Sequence, residues 1–186
     1  MNPLGIGQYY TDLDILRQIR DANPTSKLPS LWLDTEDPYT QWEGVVVDNV
    51  SKKVITLNVG SRRLTTIHGI NKLKQLRSLV CVANNLTSVD ISDMPNLTFV
   101  NIRINNINYL NLSNTPNIIY LQARENKLTN IDLYGLTTSL YQLEINNNQL
   151  ISLPTLTSKG SIADYNFTNN YFPTAERIVT GKRELS

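Results

Sequence analysis

The stretch LTFVNIRINNI, which runs from Leu97 to Ile107, decides the fold of this chain of 186 residues. We number its positions as slots, and apolar residues fill slots one, four, six and eleven. This alternation predicts a short β-strand, because successive side chains of a strand point to opposite faces. The chain must then leave the strand and turn. Asn105, in slot nine, has a side-chain amide that can bond the backbone groups that the turn leaves unpaired.

The same pattern recurs along most of the chain. Its first slots fall at residues 54, 76, 97, 118, 140 and 162, and subtraction gives periods of 22, 21, 21, 22 and 22. In the first copy, Arg62 replaces the asparagine. A repeat of this length is typical of a solenoid. We predict parallel strands that are neighbours in sequence order and centre on residues 56–59, 78–81, 99–102, 120–123, 142–145 and 164–167.

The second half of each repeat also recurs, as in Val89-Asp90-Ile91, Leu110-Asn111-Leu112 and Ile131-Asp132-Leu133. So short a repeat leaves no room for a full helix on the outer side of each turn, and we expect extended or one-turn 3₁₀ structure there. The recurring asparagines are predicted to be buried and to form a continuous ladder with a structural role. This ladder consists of Asn84, Asn105, Asn126, Asn148 and Asn170.

Both ends of a solenoid expose apolar edges and need caps. We predict a flexible tail at residues 1–10, an N-terminal cap at 11–53, repeats at 54–172, and a C-terminal cap and tail at 173–186. In the N-terminal cap, Thr11 and Asp14 predict a helix start, and Asn23-Pro24 ends that helix. Its apolar face is predicted to be Ile15, Leu16, Ile19 and Ala22. Residues 173–180 are predicted to form a short closing helix that ends at Gly181.

The N-terminal segment resembles a known capping module. The resemblance rests on NPTSKLPSLW (23–32), WEGVVVD (42–48) and VITL (54–57). These motifs are similar to the N-terminal cap of extracellular leucine-rich-repeat proteins. Plant receptor ectodomains and polygalacturonase-inhibiting proteins carry that cap with cysteines, whereas bacterial surface and secreted proteins carry it without them. This chain has one cysteine, Cys81, and its repeats resemble those of secreted Bacteroidetes proteins.

The resemblance covers about residues 11–175 and implies an α/β solenoid. It implies a leucine-rich-repeat arc of about six turns with the period given above, a parallel sheet on the concave face, little helix on the convex face and a helical N-terminal cap. It also implies an extracellular or cell-surface protein. The first eight residues lack the basic start and apolar run of a signal peptide, so we expect the leader to be missing from the sequence given.

The sequence offers no pattern typical of catalysis. His68 is the only histidine and has no second metal ligand at a suitable spacing, and Cys81 fills a core slot. Asp90 and Asp132 stand in matching slots, but Asn111 interrupts them and weakens the case for a calcium site. The net charge is +1, and no run of about 18 apolar residues occurs. We expect a non-enzyme and a monomer, with no cofactor, metal site, nucleic-acid partner or membrane insertion.

Slots three, five and seven are predicted to face the concave surface. The same slot of neighbouring repeats lies about 4.8 Å apart in a parallel stack, which places Phe99 beside Tyr120 and Arg103 beside Arg124. Aromatic residues and arginines are the types enriched in binding hot spots. The residues predicted to contact a partner are Val80, Val82, Phe99, Asn101, Arg103, Tyr120, Gln122, Arg124, Gln142 and Glu144.

Three functions remain open on this evidence. The chain is a module that binds a protein ligand, a glycan-binding surface protein in which Phe99 and Tyr120 stack on sugar rings, or an inhibitor of a secreted enzyme. Asn114 and Thr115 are expected on the outer side, away from the contact surface. The second choice for a contact surface is the acidic loop at residues 34–39.

Overall fold

The computed structural model describes residues 11–33, 41–136, 140–154, 162–172 and 180–182. In this part of the chain, two short helices, α1 (Asp12–Asp21) and α2 (Leu28–Leu31), come first, and a single 3₁₀ turn spans Ile70–Lys72. The strands are β1 (Val45–Val47), β2 (Val54–Asn58), β3 (Ser78–Val80), β4 (Ser88–Asp90), β5 (Phe99–Asn101), β6 (Tyr109–Asn111), β7 (Tyr120–Gln122), β8 (Leu140–Glu144), β9 (Ile162–Asn166) and β10 (Thr180–Lys182).

The backbone winds as a parallel β-solenoid with little helix. Strands β2, β3, β5, β7, β8 and β9 lie side by side in sequence order and pair in parallel. The same slot of successive repeats is paired, as Phe99 is with Tyr120 and Tyr120 with Gln142. The predicted solenoid is therefore confirmed. It has about five turns, since six repeat starts enclose only five complete intervals.

The core runs through the solenoid as one column of stacked side chains. Slot four supplies Leu57, Leu79, Val100, Leu121 and Leu143, and each of these side chains is fully buried. Slot six continues the column. Because each inward side chain packs against its counterparts in the adjacent turns, the contacts of one turn are local to its two neighbours.

An antiparallel strand flanks each side of this sheet. Strand β1 pairs with β2, and β10 pairs with β9. At the β1 edge, Gly44 has φ +84°, and a Cβ there would stand 1.9 Å from the carbonyl oxygen of Asn58, so only glycine fits. At the other edge, the prediction of a closing helix is wrong for Thr180 and for its end at Gly181, because both residues belong to strand β10. Residues 173–179 of that predicted helix lie outside the described residues, as do the predicted tail at 1–10 and the loop at 34–39.

Helix α1 begins with a capping box. The backbone N–H of Asp14 donates to Thr11 Oγ1 (3.2 Å), and the backbone N–H of Thr11 donates to Asp14 Oδ2 (2.9 Å). Ile15, Leu16 and Ile19 are buried, whereas Ala22, which was predicted for the same face, is exposed beyond the helix end.

Asn23 ties the end of α1 to the first turn of the solenoid. Its Nδ2 donates to the carbonyl oxygens of Ile19 (2.7 Å) and Thr66 (2.9 Å), and its Oδ1 accepts from the N–H of Thr65 (2.8 Å). One buried amide thus bonds both a helix terminus and a loop that is distant in the sequence. This arrangement fixes the N-terminal segment against the repeats.

The two tryptophans form the centre of the N-terminal segment. The rings of Trp32 and Trp42 stack in parallel with their centroids 5.2 Å apart, and both side chains are buried. Each indole N–H donates to a backbone carbonyl, from Trp32 to Glu43 (3.0 Å) and from Trp42 to Leu33 (3.0 Å). The pair combines a large buried apolar area with satisfied polar groups, as buried tryptophans require.

Asparagine side chains connect each turn to the preceding one. Asn126 Oδ1 accepts from the N–H of Ile107 (3.0 Å), and its Nδ2 donates to the carbonyls of Ile102 (3.0 Å) and Ala123 (3.1 Å). Asn84, Asn105 and Asn148 repeat this geometry and are buried, and Asn170 repeats it half-buried. In the first repeat, the backbone N–H of Arg62 also donates to Asn84 Oδ1 (3.1 Å).

The residue that precedes each ladder asparagine has a left-handed backbone. These residues are Ala83, Ile104, Glu125, Asn147 and Asn169, with φ between 54° and 58°. Such a conformation costs an L-residue about 1–2 kcal/mol and is least favourable for a β-branched side chain. Ile104 is the β-branched member of the set and is 41% exposed.

We expect Ile104→Asn to stabilise the protein by about 1 kcal/mol, because asparagine tolerates this conformation and isoleucine does not. The corresponding rise in Tm is about 2–4 °C. The matched control is Ile119→Asn, because Ile119 is similarly exposed (37%) but is not among the residues with positive φ. A gain no larger for Ile104→Asn than for Ile119→Asn would argue against backbone strain at Ile104.

The outer side of the turns is extended where it is regular. Strands β4 and β6 pair in parallel as a second sheet of two strands. Asn114 is exposed on this side, as expected, whereas Thr115 lies in the same outer half of its turn but points inward. Thr115 is fully buried, and its hydroxyl donates to the carbonyl of Ile91 (2.6 Å) and accepts from the N–H of Met94 (3.3 Å). It therefore bonds one turn to the next and is not a neutral control position.

Candidate functional site

The strand face is the surface formed by the side chains in slots three, five and seven of the repeats. Most of the residues predicted to contact a partner lie there half-buried, so neighbouring side chains already restrict them. They are Val80, Val82, Phe99, Arg103, Tyr120, Gln122, Arg124, Gln142 and Glu144. Asn101 differs, because it is only 8% exposed and its Oδ1 faces the N–H of Arg103 (3.5 Å). It therefore offers little surface to a partner.

Three aromatic rings adjoin across consecutive strands. The ring centroids of Phe99 and Tyr120 are 5.9 Å apart with a tilt of 46°, and those of Tyr120 and Tyr141 are 5.4 Å apart with a tilt of 54°. Tilted pairs at these distances suit the quadrupoles of aromatic rings. Tyr141 was not predicted, because it stands in slot two. The signal that could have revealed it is the apolar Ile119, which fills the same slot one turn earlier and is also exposed.

A chain of amide hydrogen bonds crosses the next part of the strand face. Gln122 Nε2 donates to Gln142 Oε1 (2.7 Å), and Gln142 Nε2 donates to Asp164 Oδ2 (3.4 Å). Asp164 was absent from the predicted contact set. The chain fixes the orientation of both glutamines, so that a partner meets ordered amides and not free rotamers.

The two arginines of slot seven differ in their electrostatic surroundings. Arg124 forms ion pairs with Glu125 (Nη1 to Oε1, 3.2 Å) and Glu144 (Nε to Oε2, 3.9 Å). Within the part of the chain that the structure describes, the guanidinium of Arg103 has neither an ion pair nor a hydrogen bond. Arg103 is thus the uncompensated cation of the strand face.

Three polar atoms of slot seven are buried without a hydrogen-bond partner among the described residues. They are the Nε atoms of Arg103 and Arg124 and the Oδ1 atom of Asn146. Leaving such a group unsatisfied costs about 1–3 kcal/mol, so native proteins rarely tolerate it without water or a ligand. Because slot seven is aligned from turn to turn, the three residues form one column that offers two donors and one acceptor.

Cys81 and His68, the two reactive side chains singled out in the sequence, lie in different surroundings. Complete burial raises the pKa of the Cys81 thiol to about 12, so the reactive thiolate is suppressed at neutral pH. His68 is exposed. Among the residues that the structure describes, no three histidine, cysteine or acidic side chains group together to hold a metal ion. No helix in that part of the chain has both the length and the apolarity to cross a membrane.

Comparisons with known proteins give a likeness in fold. No protein-family model matches this chain, and no curated protein matches its sequence. The crystal structure of a plant ice-binding protein is similar, with a TM-score of 0.56 and 20% identity over 87% of this chain. This chain covers 64% of the length of that protein. At this identity the likeness shows the fold alone, a parallel β-solenoid.

Proposed function

We propose that this chain is a non-catalytic binding module of the leucine-rich-repeat type that binds a protein ligand through its strand face. The support for the repeat type is the slot pattern together with the asparagine ladder and the resemblance of the N-terminal segment to a cysteine-free cap. In this assignment α1, α2 and β1 form the cap, six repeats form the arc, and the strand face is its concave side.

The observation that carries the proposal is the row of adjoining rings formed by Phe99, Tyr120 and Tyr141, together with the uncompensated Arg103 of the strand face. Tyrosine and arginine are among the residue types that dominate binding energy at interfaces. The half-buried positions of Phe99, Tyr120 and Arg103 limit the rotamer entropy that binding would remove. Ile104 adds an exposed apolar side chain directly after Arg103.

The charges indicate which ligand group fits. A carboxylate on the ligand would pair with the half-buried guanidinium of Arg103, which has no ion-pair partner among the described residues, through charge-assisted hydrogen bonds. We therefore propose an acidic segment of a protein as the ligand. Its affinity should fall as the salt concentration rises, because salt screens the attraction between charges.

The proposal includes a location and an assembly state. We propose a monomer that is secreted or held at the bacterial cell surface, on the resemblance of its cap and repeats to those of Bacteroidetes proteins. An inhibitor of a secreted enzyme is one form of this function, in which the enzyme is the ligand. Catalysis, a cofactor, nucleic-acid binding and membrane insertion form no part of the proposal.

Ice binding, for which the similar plant protein is named, receives no support from the side chains in slot three of the strand face. Slot three holds Thr56, Ser78, Phe99, Tyr120, Gln142 and Asp164 in successive repeats. A surface that matches a crystal lattice needs one kind of side chain repeated at regular intervals. The strand face instead changes chemistry at each turn, as the recognition of an irregular macromolecule requires.

The test compares two double variants with equal changes of charge. Arg103→Ala/Arg124→Ala removes two cations from the strand face, and the control Arg63→Ala/Lys127→Ala removes two exposed cations outside it. Ligands are captured from the native surroundings on the immobilised wild-type protein, and the affinity of each purified ligand is then measured at two salt concentrations.

We expect the strand-face double variant to bind the ligand about 30-fold more weakly and with less dependence on salt, while the control stays within about twofold. Both variants should melt close to the wild type, since neither arginine fills the core. Equal affinities for the wild type and the strand-face variant would disprove the proposal.

A further inference from the structure

The outer half of the fourth turn departs from the two before it. The outer segment advances eight residues from Val89 to Leu97 and again from Leu110 to Ile118. It advances nine residues from Ile131 to Leu140. The earlier segments end in Pro-Asn before the next strand, and this one ends in Thr-Thr-Ser. Tyr134 also replaces the serine that stands in the same position of both earlier turns.

The outer sheet ends before this longer segment. Between the two regular turns, the N–H of Ile91 donates to the carbonyl of Asn111 (3.1 Å), and that of Asp93 donates to Ser113 (2.9 Å). The equivalent bonds from Leu112 and Asn114 to residues 132–134 are not formed in the described structure. As a result, residues 130–133 do not add a third strand to β4 and β6.

The backbone of the turn changes at the same place. Asp93 and Asn114 have left-handed φ values of 54° and 55°, and Gly135 in the equivalent position does not. The segment therefore follows a different path, although it stays close to the preceding turn at Gly135, whose Cβ position lies 3.6 Å from both the N atom of Asn114 and the O atom of Leu112. Above that contact the two turns separate.

The separation leaves a cleft of about 490 Å³ between β6 and residues 129–135. This volume falls within the range of about 300–1,000 Å³ that is usual for small-molecule sites. Tyr109 and Tyr134 border the cleft and are 59% and 72% exposed, although tyrosine rings usually bury much of their surface. The polar lining includes Asn111, Asn130 and Asp132.

We infer that this cleft binds a neutral carbohydrate. A sugar ring has a face of C–H groups and a rim of hydroxyls. Tyr109 and Tyr134 supply flat apolar surface for the face, and the amide and carboxylate groups supply partners for the hydroxyls. The backbone N–H groups of Leu112 and Asn114, left without a third strand, add donors at the base of the cleft.

Asp132 contributes both to the shape of the cleft and to its chemistry. Its Oδ1 accepts from the backbone N–H of Tyr134 (2.8 Å), which holds the tyrosine segment in place. Its Oδ2 has no hydrogen-bond partner among the described residues and is available to two hydroxyls. Asp132 is the one charged residue among the described residues of the lining, so an anionic sugar would be repelled. The charge therefore favours a neutral ligand over a uronate or a sulfated glycan.

This inference does not rest on the proposed function, because none of the lining residues belongs to the strand face. The test uses a glycan array that carries neutral hexasaccharides of glucose, xylose, mannose and N-acetylglucosamine, with polygalacturonate as the anionic probe. The cleft variants are Tyr134→Ala and Asp132→Asn. The matched controls are Tyr171→Ala, at a tyrosine of similar exposure (69%) in another turn, and Tyr120→Ala on the strand face.

We expect the wild type to bind at least one of the neutral hexasaccharides. Tyr134→Ala should lower that binding about tenfold or more, and Asp132→Asn should lower it less because the oxygen that bonds Tyr134 remains. Both controls should bind like the wild type. The inference is overturned if no neutral hexasaccharide binds at millimolar concentration, if polygalacturonate binds in preference, or if Tyr120→Ala abolishes the binding that Tyr134→Ala preserves.

Discussion

Replacing Asn126 by aspartate is expected to destabilise the protein by about 3–5 kcal/mol at neutral pH, although the two side chains have the same shape. Asn126 is buried, and its Nδ2 points at the carbonyl oxygens of Ile102 and Ala123. Aspartate would put a charged oxygen against those two carbonyls. A buried charge without a partner is among the most destabilising changes that a single substitution can make.

Asn126→Ala should cost less, about 1–3 kcal/mol, because it leaves one group without any partner. That group is the N–H of Ile107, which donates to Asn126 Oδ1. The two carbonyls keep a second donor each, since Ile102 also accepts from Asn105 and Ala123 also accepts from Asn148.

Denaturant unfolding of the two variants and the wild type measures these differences. The control is Asn85→Asp, at an exposed asparagine next to a ladder position, which should shift the free energy of unfolding by no more than about 0.5 kcal/mol. If Asn126→Asp were no less stable than Asn126→Ala, the side-chain amide would not be acting as a donor to the two carbonyls.

Trp32→Ala is the second change with a large expected effect, a loss of about 3–5 kcal/mol. Trp32 has no exposed surface, stacks on Trp42 and donates its indole N–H to Glu43. Alanine would leave a cavity between α2 and the first repeat and an unpaired carbonyl at Glu43. The matched control is Leu33→Ala, because Leu33 is adjacent and 42% exposed.

Tryptophan fluorescence gives a local readout for this variant, because the chain has two tryptophans and Trp42 alone remains. We expect its emission to shift to longer wavelength as water reaches the face that Trp32 covered. The Leu33→Ala protein should keep the emission and nearly the full stability of the wild type. An unshifted emission with unchanged stability would mean that the stacked pair does not hold the N-terminal segment together.

The sequence predicted the parts of the fold that repeat. Side chains in slots four, six and nine have equivalent neighbours in every turn. The same kind of residue therefore recurs there, apolar in slots four and six and asparagine in slot nine, and the sequence shows this recurrence directly. Thr115 shows where this reasoning fails. It stands in the position that Met94 occupies in the preceding turn and Leu136 in the next, both buried, but threonine is polar, so a search for apolar residues alone does not count it in the core.

The candidate site was less predictable, because it depends on differences between turns. The alignment of the slots predicted that Phe99, Tyr120, Arg103 and Arg124 lie on one surface, and the structure places them there. The burial of Asn101 and the participation of Tyr141 depend on the sizes of neighbouring side chains, which a slot number does not encode. The outer cleft accompanies the loss of two backbone hydrogen bonds between neighbouring turns, which the sequence alone does not reveal.

The direction of the asparagine ladder has a consequence for how such a chain can grow. Each ladder side chain bonds its own turn and the turn before it, as Asn126 does, so a single repeat contains every group that it needs to dock on its predecessor. A tandem duplication of residues 97–117 would insert a complete turn whose asparagine finds its donor and acceptors in the original copy. Both edge strands, β1 and β10, would keep the neighbours they already have. Gene duplication can therefore lengthen the array by one whole repeat at a time without altering either end.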